Sequence, residues 1–587
     1  MKSSTHMYSN EALLTILKEV LAAMEVKQVS FFRIRAYQNV ISAIEDLTIS
    51  VFDLWKQNRL NEISGIGGTL AQHLDSLFTK GKVKDFDDVK EGLPEGMFAL
   101  LGLRGIGAKK AYKLATVFNL NTREKALELL KQAAESGKIR KIEGFGEKSE
   151  KAILDTLNEQ RLNKNSKERM LQNKAAQVAS RITKYLRVCE FVESVAVLGS
   201  LRRREPTVGD LDIAVATSNP KAVISYFVAF PEVAVITAQG ESRAAVILSN
   251  DVQVDIRVCS TSALGAMTQY FTGSKAHNIT LRNFALERGL SLSEYGIKKG
   301  NTLHEFADET SFYNFVGIDY IPPELRQGKD EVLLASKHHL PDLVSLQDIR
   351  GDLHMHTTDS DGEELLSVMV ESAQSKGYEY VAITDHSPSI KTHGSFNLLS
   401  IIETKRRIIE QINSSSDKIR VLFGYEVDIL KSGELALPNN LLAKLDFTIA
   451  SLHTALDDTR EQITQRMLNA IRNPYVKIIG HPSGRLLNKR PPCDLDWEKV
   501  LRAVKEEGKI LEINAHPQRL DLAEDLVYEA RKMGISFIIN TDAHSVSDLE
   551  NMHFGVDVAR RGWCDRDVII NTKPLAQFLK DFGILSS

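Results

Sequence analysis

Apolar positions recur at helical spacing near the start of the chain. LLTILKEVLAAM and FRIRAYQNVISAIEDL each carry such a stripe and predict amphipathic helices within residues 8–60. Residues 160–190 read as helical and basic. From about residue 195 the pattern changes to period two, in SVAVLG, DLDIAVA, AAVILS and VQVDIRV, which predicts strands. Residues 262–320 mix helix with short strands. IPPEL and HHLPDL, within 321–345, carry the break signals of a linker. From Gly351 strand-like runs alternate with helices: YEYVAITDH, VLFGYEVDIL, DFTIASLH, VKIIGHP, KILEINAH and SFIINTDAH. That rhythm predicts an α/β domain with a mostly parallel sheet or barrel.

With 587 residues the chain is long enough for several domains. No run approaches the ~18 apolar residues of a membrane span, and MKSSTHMYSN lacks the apolar core of a secretion signal. Four scattered cysteines form no CxxC pair, which fits a reducing cytoplasm. The net charge of −3 hides an asymmetry: residues 1–300 hold 42 Lys and Arg against 33 Asp and Glu, and residues 301–587 hold 32 against 44. A basic front suits a polyanion, and an acidic back suits cations.

One phrase appears three times in the basic part: ISGIGGTLA from Ile63, LRGIGAKKA from Leu103 and IEGFGEKSE from Ile142. In each, an apolar residue lies between two glycines, the pairs being Gly65 and Gly67, Gly105 and Gly107, and Gly144 and Gly146. Paired glycines let the backbone approach a ligand closely, and amides at the following helix start can hold a phosphate oxygen. Lys109, Lys110 and Lys148 suit phosphate neutralisation. The phrases resemble helix-hairpin-helix motifs, which grip DNA backbones independently of sequence.

In GSLRRREPTVGDLDIAVA, Asp210 and Asp212 lie two apart on a predicted strand and share a face, with Leu211 and Ile213 opposite. VQVDIRV adds Asp255. Carboxylates so close repel unless a cation lies between them, and Mg²⁺ suits such oxygen ligands. Three such groups can hold two ions ~3.5–4 Å apart for in-line phosphoryl displacement.

The combination GS-x-RR-x6-DLD, the later Asp255 and YFTGSKAHN from Tyr270 resembles the family X DNA polymerases, relatives of DNA polymerase beta, over about residues 8–320. The resemblance implies that Asp210 and Asp212 bind both Mg²⁺ or Mn²⁺ ions and that Asp255 activates the primer 3′-hydroxyl. It implies that Gly199, Ser200, Arg203 and Gly209 hold a deoxynucleoside triphosphate, with Arg169 a looser match. Tyr270 and Phe271 would border the sugar, Gly273 would allow close approach, and Asn278 and Arg282 would face the minor-groove side of the nascent pair. The chain departs from polymerase beta at three positions. Lys275 is basic where polymerase beta has an acid, and a lysine there would reach the incoming phosphates. Val208 lacks a hydroxyl. His73 stands where the 5′-deoxyribose phosphate lyase has its Schiff-base lysine, a reaction that needs a primary amine; Lys80, Lys82 and Lys84 lie nearby.

Nine of the 15 histidines fall between residues 354 and 553, most in phrases that end an apolar run. In α/β barrels such strand ends converge on one face, and imidazoles with carboxylates suit Zn²⁺, Mn²⁺ or Fe²⁺. The pattern resembles the PHP (polymerase and histidinol phosphatase) domain over about residues 348–575. The resemblance implies nine ligands for two or three Mn²⁺, Zn²⁺ or Fe²⁺ ions: His354, His356, Asp361, His386, Glu426, His453, His481, Asp542 and His544. Glu426 would bridge. His393, His516 and His553 are left as non-ligands.

The expected fold is multidomain, α and α/β: helical helix-hairpin-helix domains, a nucleotidyltransferase-type palm and a C-terminal PHP distorted (β/α) barrel. The boundaries expected are a tail at 1–7, a helix-hairpin-helix domain at 8–95, a helical DNA-binding domain at 96–165, a palm at 166–262, a nucleotide-selection domain at 263–320, a linker at 321–347 and the PHP domain at 348–587. The expected activity is gap-filling DNA synthesis in repair joined to a 3′–5′ exonuclease or 3′-end phosphoesterase. The expected partners are gapped or primer-template DNA and deoxynucleoside triphosphates, for a cytoplasmic monomer with no membrane partner. The alternatives are a non-catalytic DNA-end binding module and a small-phosphate hydrolase tethered to DNA.

Overall fold

The computed structural model describes residues 10–45, 51–56, 59–60, 63, 66–101, 106–142, 144–146, 149–150, 153–154, 169–388, 390–415 and 417–584. Residues 1–7, Gly65, Gly105 and Lys148 lie outside the described residues, as does the side chain of His393. The chain divides into two compact units, residues 1–167 and 168–587.

The first unit is helical among its described residues. Helices Asn10–Val26, Phe31–Glu45 and Gly68–Lys80 bury one apolar face each around Leu17, Val40, Leu74 and Phe78. A second core gathers Met97, Ala111, Leu114, Leu130 and Ile139, and Ala22 and Ala23 of the first helix reach it. Gly67 and Gly107 take the same extended conformation ahead of helices Gly68–Lys80 and Ala108–Val117, at φ −86°, ψ 173° and φ −84°, ψ 174°. Among the described residues, nothing lies within 4 Å of where a Cβ would sit on Gly67, Gly107 or Gly146. Gly144 adopts φ +86°, a left-handed conformation that a side chain would strain. Lys109 and Lys110 stand exposed in the first turn after Gly107.

The second unit begins with seven strands: β1 (Met170–Leu171), β2 (Ser194–Val197), β3 (Thr207–Val208), β4 (Leu211–Ala216), β5 (Val233–Gln239), β6 (Arg243–Leu248) and β7 (Gln253–Cys259). β1 pairs with β3. The others form one sheet in the order β2-β4-β7-β6-β5, with β4 and β7 parallel and the remaining pairs antiparallel. Alternation sets its two faces. Leu211, Ile213, Val254 and Ile256 point into a core shared with helices Gln172–Arg187 and Pro220–Val228, which leaves Asp212 and Asp255 on the opposite face. Helix Leu264–Thr272 covers part of that face through Met267, with Ala263 of the turn before it. A three-stranded antiparallel sheet follows: β8 (Leu290–Ser293), β9 (Gly296–Lys299) and β10 (Thr302–His304).

The last part is a parallel sheet of seven strands in chain order: β11 (Gly351–Asp352), β12 (Tyr380–Ile383), β13 (Arg420–Asp428), β14 (Phe447–Ser451), β15 (Val476–Ile479), β16 (Ile510–Asn514) and β17 (Phe537–Asn540). A parallel bridge between Met355 and Ala543 joins the segments beyond β11 and β17, so the sheet nearly closes. Leu353, Ala382, Leu422, Ile449 and Ile478 pack in one core with Phe578 and Phe582 of the last helix.

The segment expected as a linker, 321–347, is packed structure. Ile321, Leu325, Val332 and Ala335 share a core with Trp563 of the barrel. Arg326 and Glu331 are fully buried, paired with Glu309 at 2.7 Å and His277 at 2.9 Å. Gln327 donates to the carbonyl of Arg561 at 2.8 Å, and Arg560 meets Glu324 at 2.9 Å. Prolines and charged residues in sequence resemble a tether, but here their polar groups find buried partners far along the chain, so the segment joins the two parts.

Candidate functional site

Two groups of functional side chains assemble in the second unit. The first lies at the head of β4. Asp212 and Asp255 are direct register partners on parallel β4 and β7, and Asp210 stands two residues ahead of Asp212, exposed. Burial, joined by the charges of Asp210 and Asp255, pushes Asp212 up to about 7, against the opposing pull of Arg257 and Arg203. A cation among these carboxylates would relieve that repulsion.

Gly199 begins the helical turn Gly199–Arg202 with φ +61°, and a Cβ there would lie 2.3 Å from an Asp212 carboxylate oxygen. Only glycine therefore fits between the turn and the carboxylate. Ser200 is the next residue of this turn, and its carbonyl accepts from the amide of Glu205 at 3.0 Å. The guanidinium of Arg203 binds Glu205 at 2.7 Å and the carbonyl of Thr272 at 2.5 Å, tying the turn to the bend at Gly273. Arg202 bonds Glu309, which also binds buried Arg326.

Beyond the bend, Ser274 caps helix Lys275–Leu286 by accepting from the amide of His277 at 3.3 Å, and Lys275 stands exposed at its start. Asn278 donates to the carbonyl of Tyr270 at 2.7 Å and accepts from Gln269 at 3.0 Å. Arg282 lies over the Tyr270 ring at 5.3 Å and Arg257 over the Phe271 ring at 4.0 Å. Arg169 donates to the hydroxyl and carbonyl of Thr207 at 2.9 and 2.7 Å, and lies 3.2 Å from where a Cβ on Gly209 would be.

The second group occupies the barrel's strand ends, and all nine residues expected there come together. Glu426, on β13, is the hub. Its carboxylate lies 2.8 Å from His481, 3.0 Å from His386, 3.3 Å from His453 and 3.5 Å from His354. Asp542 lies 3.2 Å from His356, and Asp361 lies 3.3 Å from His544 and 3.5 Å from His386. Three sets have ligand atoms mutually within 4.8 Å: His356, Asp361, His386 and His544; His354, His356 and Asp542; and His386, Glu426 and His453. Among the described residues, the Nε2 atoms of His354 and His356 and the Nδ1 of His481 are buried without a hydrogen-bond partner. Buried, unpaired ring nitrogens beside carboxylates fit divalent cations. Burial opposes charge on Glu426 and Asp542, yet the surrounding imidazoles hold both carboxyls well below their ordinary range. A cavity of about 360 Å³ opens onto this cluster.

The comparisons with known proteins follow this division. The helix-hairpin-helix domain matches residues 8–83, the DNA polymerase beta thumb residues 267–327 and the PHP domain residues 352–516. A Bacillus subtilis (strain 168) protein named DNA polymerase/3′-5′ exonuclease PolX is 34% identical over 569 residues, 96% of this chain and 97% of that one. The chain belongs to the PolX family. A probable phosphatase of Thermoanaerobacter sp. (strain X514) is 33% identical over 245 residues, 39% of this chain and 94% of that protein. The solved structure titled as a ternary P/T complex of Leishmania infantum polymerase beta is 22% identical, at a TM-score of 0.30, over 40% of this chain and 98% of that one.

This PolX-family chain also brings in residues that its sequence did not single out. Glu512, fully buried on β16, accepts from His354 Nδ1 at 2.7 Å, from the His481 amide at 2.7 Å and from Asn540 at 2.9 Å. It leaves His354 Nε2 as the atom available to a cation. Asp428 does the same for His453, from 2.6 Å. Burial would lower His453, but Asp428 and Glu426 together push it up to about 10. Arg519 lines the cavity 3.4 Å from Asp542. The one available signal for Glu512 was a charge inside the apolar run ILEIN. Of the histidines left over, His516 accepts from the Gln518 amide at 3.3 Å, and half-buried His553 meets the Glu550 carbonyl at 2.7 Å. Neither belongs to the three sets.

Proposed function

We propose that the chain is a DNA-directed DNA polymerase that fills short gaps, carrying in the same molecule a 3′–5′ exonuclease or 3′-end phosphoesterase. The observation that carries this reading is the pairing of Asp212 with Asp255 across β4 and β7, with Asp210 beside them and only a glycine against the Asp212 carboxylate. The family relationship supports it, as does the B. subtilis relative's name, which joins both activities.

Mg²⁺ or Mn²⁺ at the palm, and two or three Mn²⁺, Zn²⁺ or Fe²⁺ ions in the barrel, supply the positive charge that each phosphoryl displacement needs. The residues do the rest. Asp210 and Asp212 would hold the ions, and Asp255 would accept the proton of the primer 3′-hydroxyl. Gly199, Ser200 and Gly209 present the turn and its amides to the triphosphate, and Arg203 keeps that turn against the Gly273 bend. Lys275 adds charge near the phosphates. Tyr270 and Phe271 border the sugar, with Asn278 and Arg282 on the minor-groove side of the base. Gly67, Gly107, Gly144 and Gly146, with Lys109 and Lys110, hold DNA phosphates on either side of a gap. In the barrel, the nine-residue basin, with Glu426 at its hub, would hold ions that activate a water to hydrolyse the 3′-terminal phosphodiester.

The lyase reaction is left out. His73 hydrogen-bonds Tyr37 at 3.2 Å and lies 3.3 Å from Asp85, and an imidazole forms no stable Schiff base. No helix of the described residues is long and apolar enough to cross a membrane, and a monomer in the cytoplasm remains part of the proposal. The test is incorporation on a one-nucleotide-gapped duplex with each deoxynucleoside triphosphate in turn. Insertion of the complementary nucleotide alone supports the reading; untemplated insertion or none sinks it.

A further inference from the structure

The barrel grips the palm beside the nucleotide site. Asp557 and Arg561 lie four residues apart on helix Met552–Arg561. Asp557 accepts from buried Gln172 at 2.7 Å and faces Arg204 at 3.7 Å. Arg561 is held by Glu524 at 2.7 Å and donates to the main-chain carbonyl of Arg203 at 2.9 Å. A second barrel element does the same at the other arginine. Asn488 donates its side-chain amide to the carbonyl of Arg169 at 2.5 Å. Its loop is pinned by a Leu486–Arg490 bridge and by Leu487 donating to the Gln518 carbonyl at 2.7 Å. Arg169 in turn holds Thr207 and abuts Gly209, and Arg203 holds the Thr272 carbonyl beside the Gly273 bend.

We propose that Asn488 and Arg561 of the PHP barrel are positioning residues for nucleotidyl transfer: they fix the backbones of Arg169 and Arg203, and through them the walls of the triphosphate pocket. This rests on the polymerase reading above. The barrel is then part of the polymerase's nucleotide site as well as a separate hydrolase. Neither residue touches the nine-residue basin, so the effect belongs to synthesis and not to trimming.

The experiment uses the full chain, a one-nucleotide-gapped duplex with templating dA, varied dTTP and Mg²⁺. Trimming of a labelled single strand with Mn²⁺ is the second readout. Asn488→Asp removes the donor at nearly constant shape, and Arg561→Lys keeps the charge opposite Glu524 but loses the fork. Each loses about one net hydrogen bond, so the KM for dTTP rises about 3- to 10-fold with kcat little changed, and trimming stays at the wild-type level. In an Arg169→Ala background, Asn488→Asp adds no further rise, because its route is already cut. Unchanged KM in both variants overturns the inference, as does additivity with Arg169→Ala or a parallel loss of trimming. A wild-type chain that inserts no dTTP overturns the polymerase reading instead.

Discussion

Replacing Gly199 by alanine tests the palm geometry with one methyl group. The new Cβ would lie 2.3 Å from an Asp212 oxygen and 3.3 Å from its carboxyl carbon, where ordinary contact begins at 3.4 Å. The carboxylate must therefore move by about 1 Å, and a displacement of that size at a reacting centre costs on the order of 100-fold in rate. The backbone adds its own cost: φ is +61°, and a side chain in left-handed conformation loses about 1–2 kcal/mol. The unit spans residues 168–587, and at its size that lowers Tm by a few degrees at most, below the ~2–4 °C per kcal/mol of a smaller domain. Gly199→Ala should thus fold, trim single strands as wild type does, and insert nucleotides about 100-fold more slowly. The assay is single-turnover insertion on a gapped duplex, with trimming and thermal melting on the same preparation. Insertion at the wild-type rate would refute the placement of Gly199 against the carboxylate.

Three further outcomes follow from the same geometry. Glu512→Gln leaves His354 facing an amide and should weaken the Mn²⁺ dependence of trimming about 10- to 100-fold, read from a metal titration, while insertion is unaffected. Burial and the charges of Asp210 and Asp255 push Asp212 up to about 7 in the absence of a cation; this favours the protonated form, and cation binding must expel that proton. The apparent Mg²⁺ affinity for insertion should therefore rise as pH climbs through about 7 and level off above it; a Mg²⁺ titration that is flat across this range would contradict the assignment. Borohydride trapping on an incised abasic duplex should give no adduct, since His73 lies between Tyr37 and Asp85; efficient trapping at Lys80, Lys82 or Lys84 would show that another amine performs the lyase step.

Much of the site was readable because its residues obey a local rule. Asp212 and Asp255 stand out as charges inside apolar strands, with Asp210 just ahead of the first, and eight of the nine barrel residues lie in or just beyond a strand or its closing bridge. The residues that hold them were not readable. Glu512 and Asp428 are single letters in long apolar runs, and their meaning depends on His354 and His453 arriving from other strands. The junction looks like a tether in sequence because prolines and charges mark surface segments in general. Arg326 is fully buried because Glu309 is within reach, a contact that no local pattern announces.

The central claim is that one chain holds two independent phosphoryl-transfer sites, and crossed inactivation tests it most directly. Asp255→Asn and Glu426→Gln are each assayed in the full chain for insertion on a gapped duplex with Mg²⁺ and for trimming of a labelled single strand with Mn²⁺. The account predicts that Asp255→Asn loses insertion and keeps trimming, and that Glu426→Gln loses trimming and keeps insertion. Loss of both activities in either variant, or persistence of the targeted one, would contradict it.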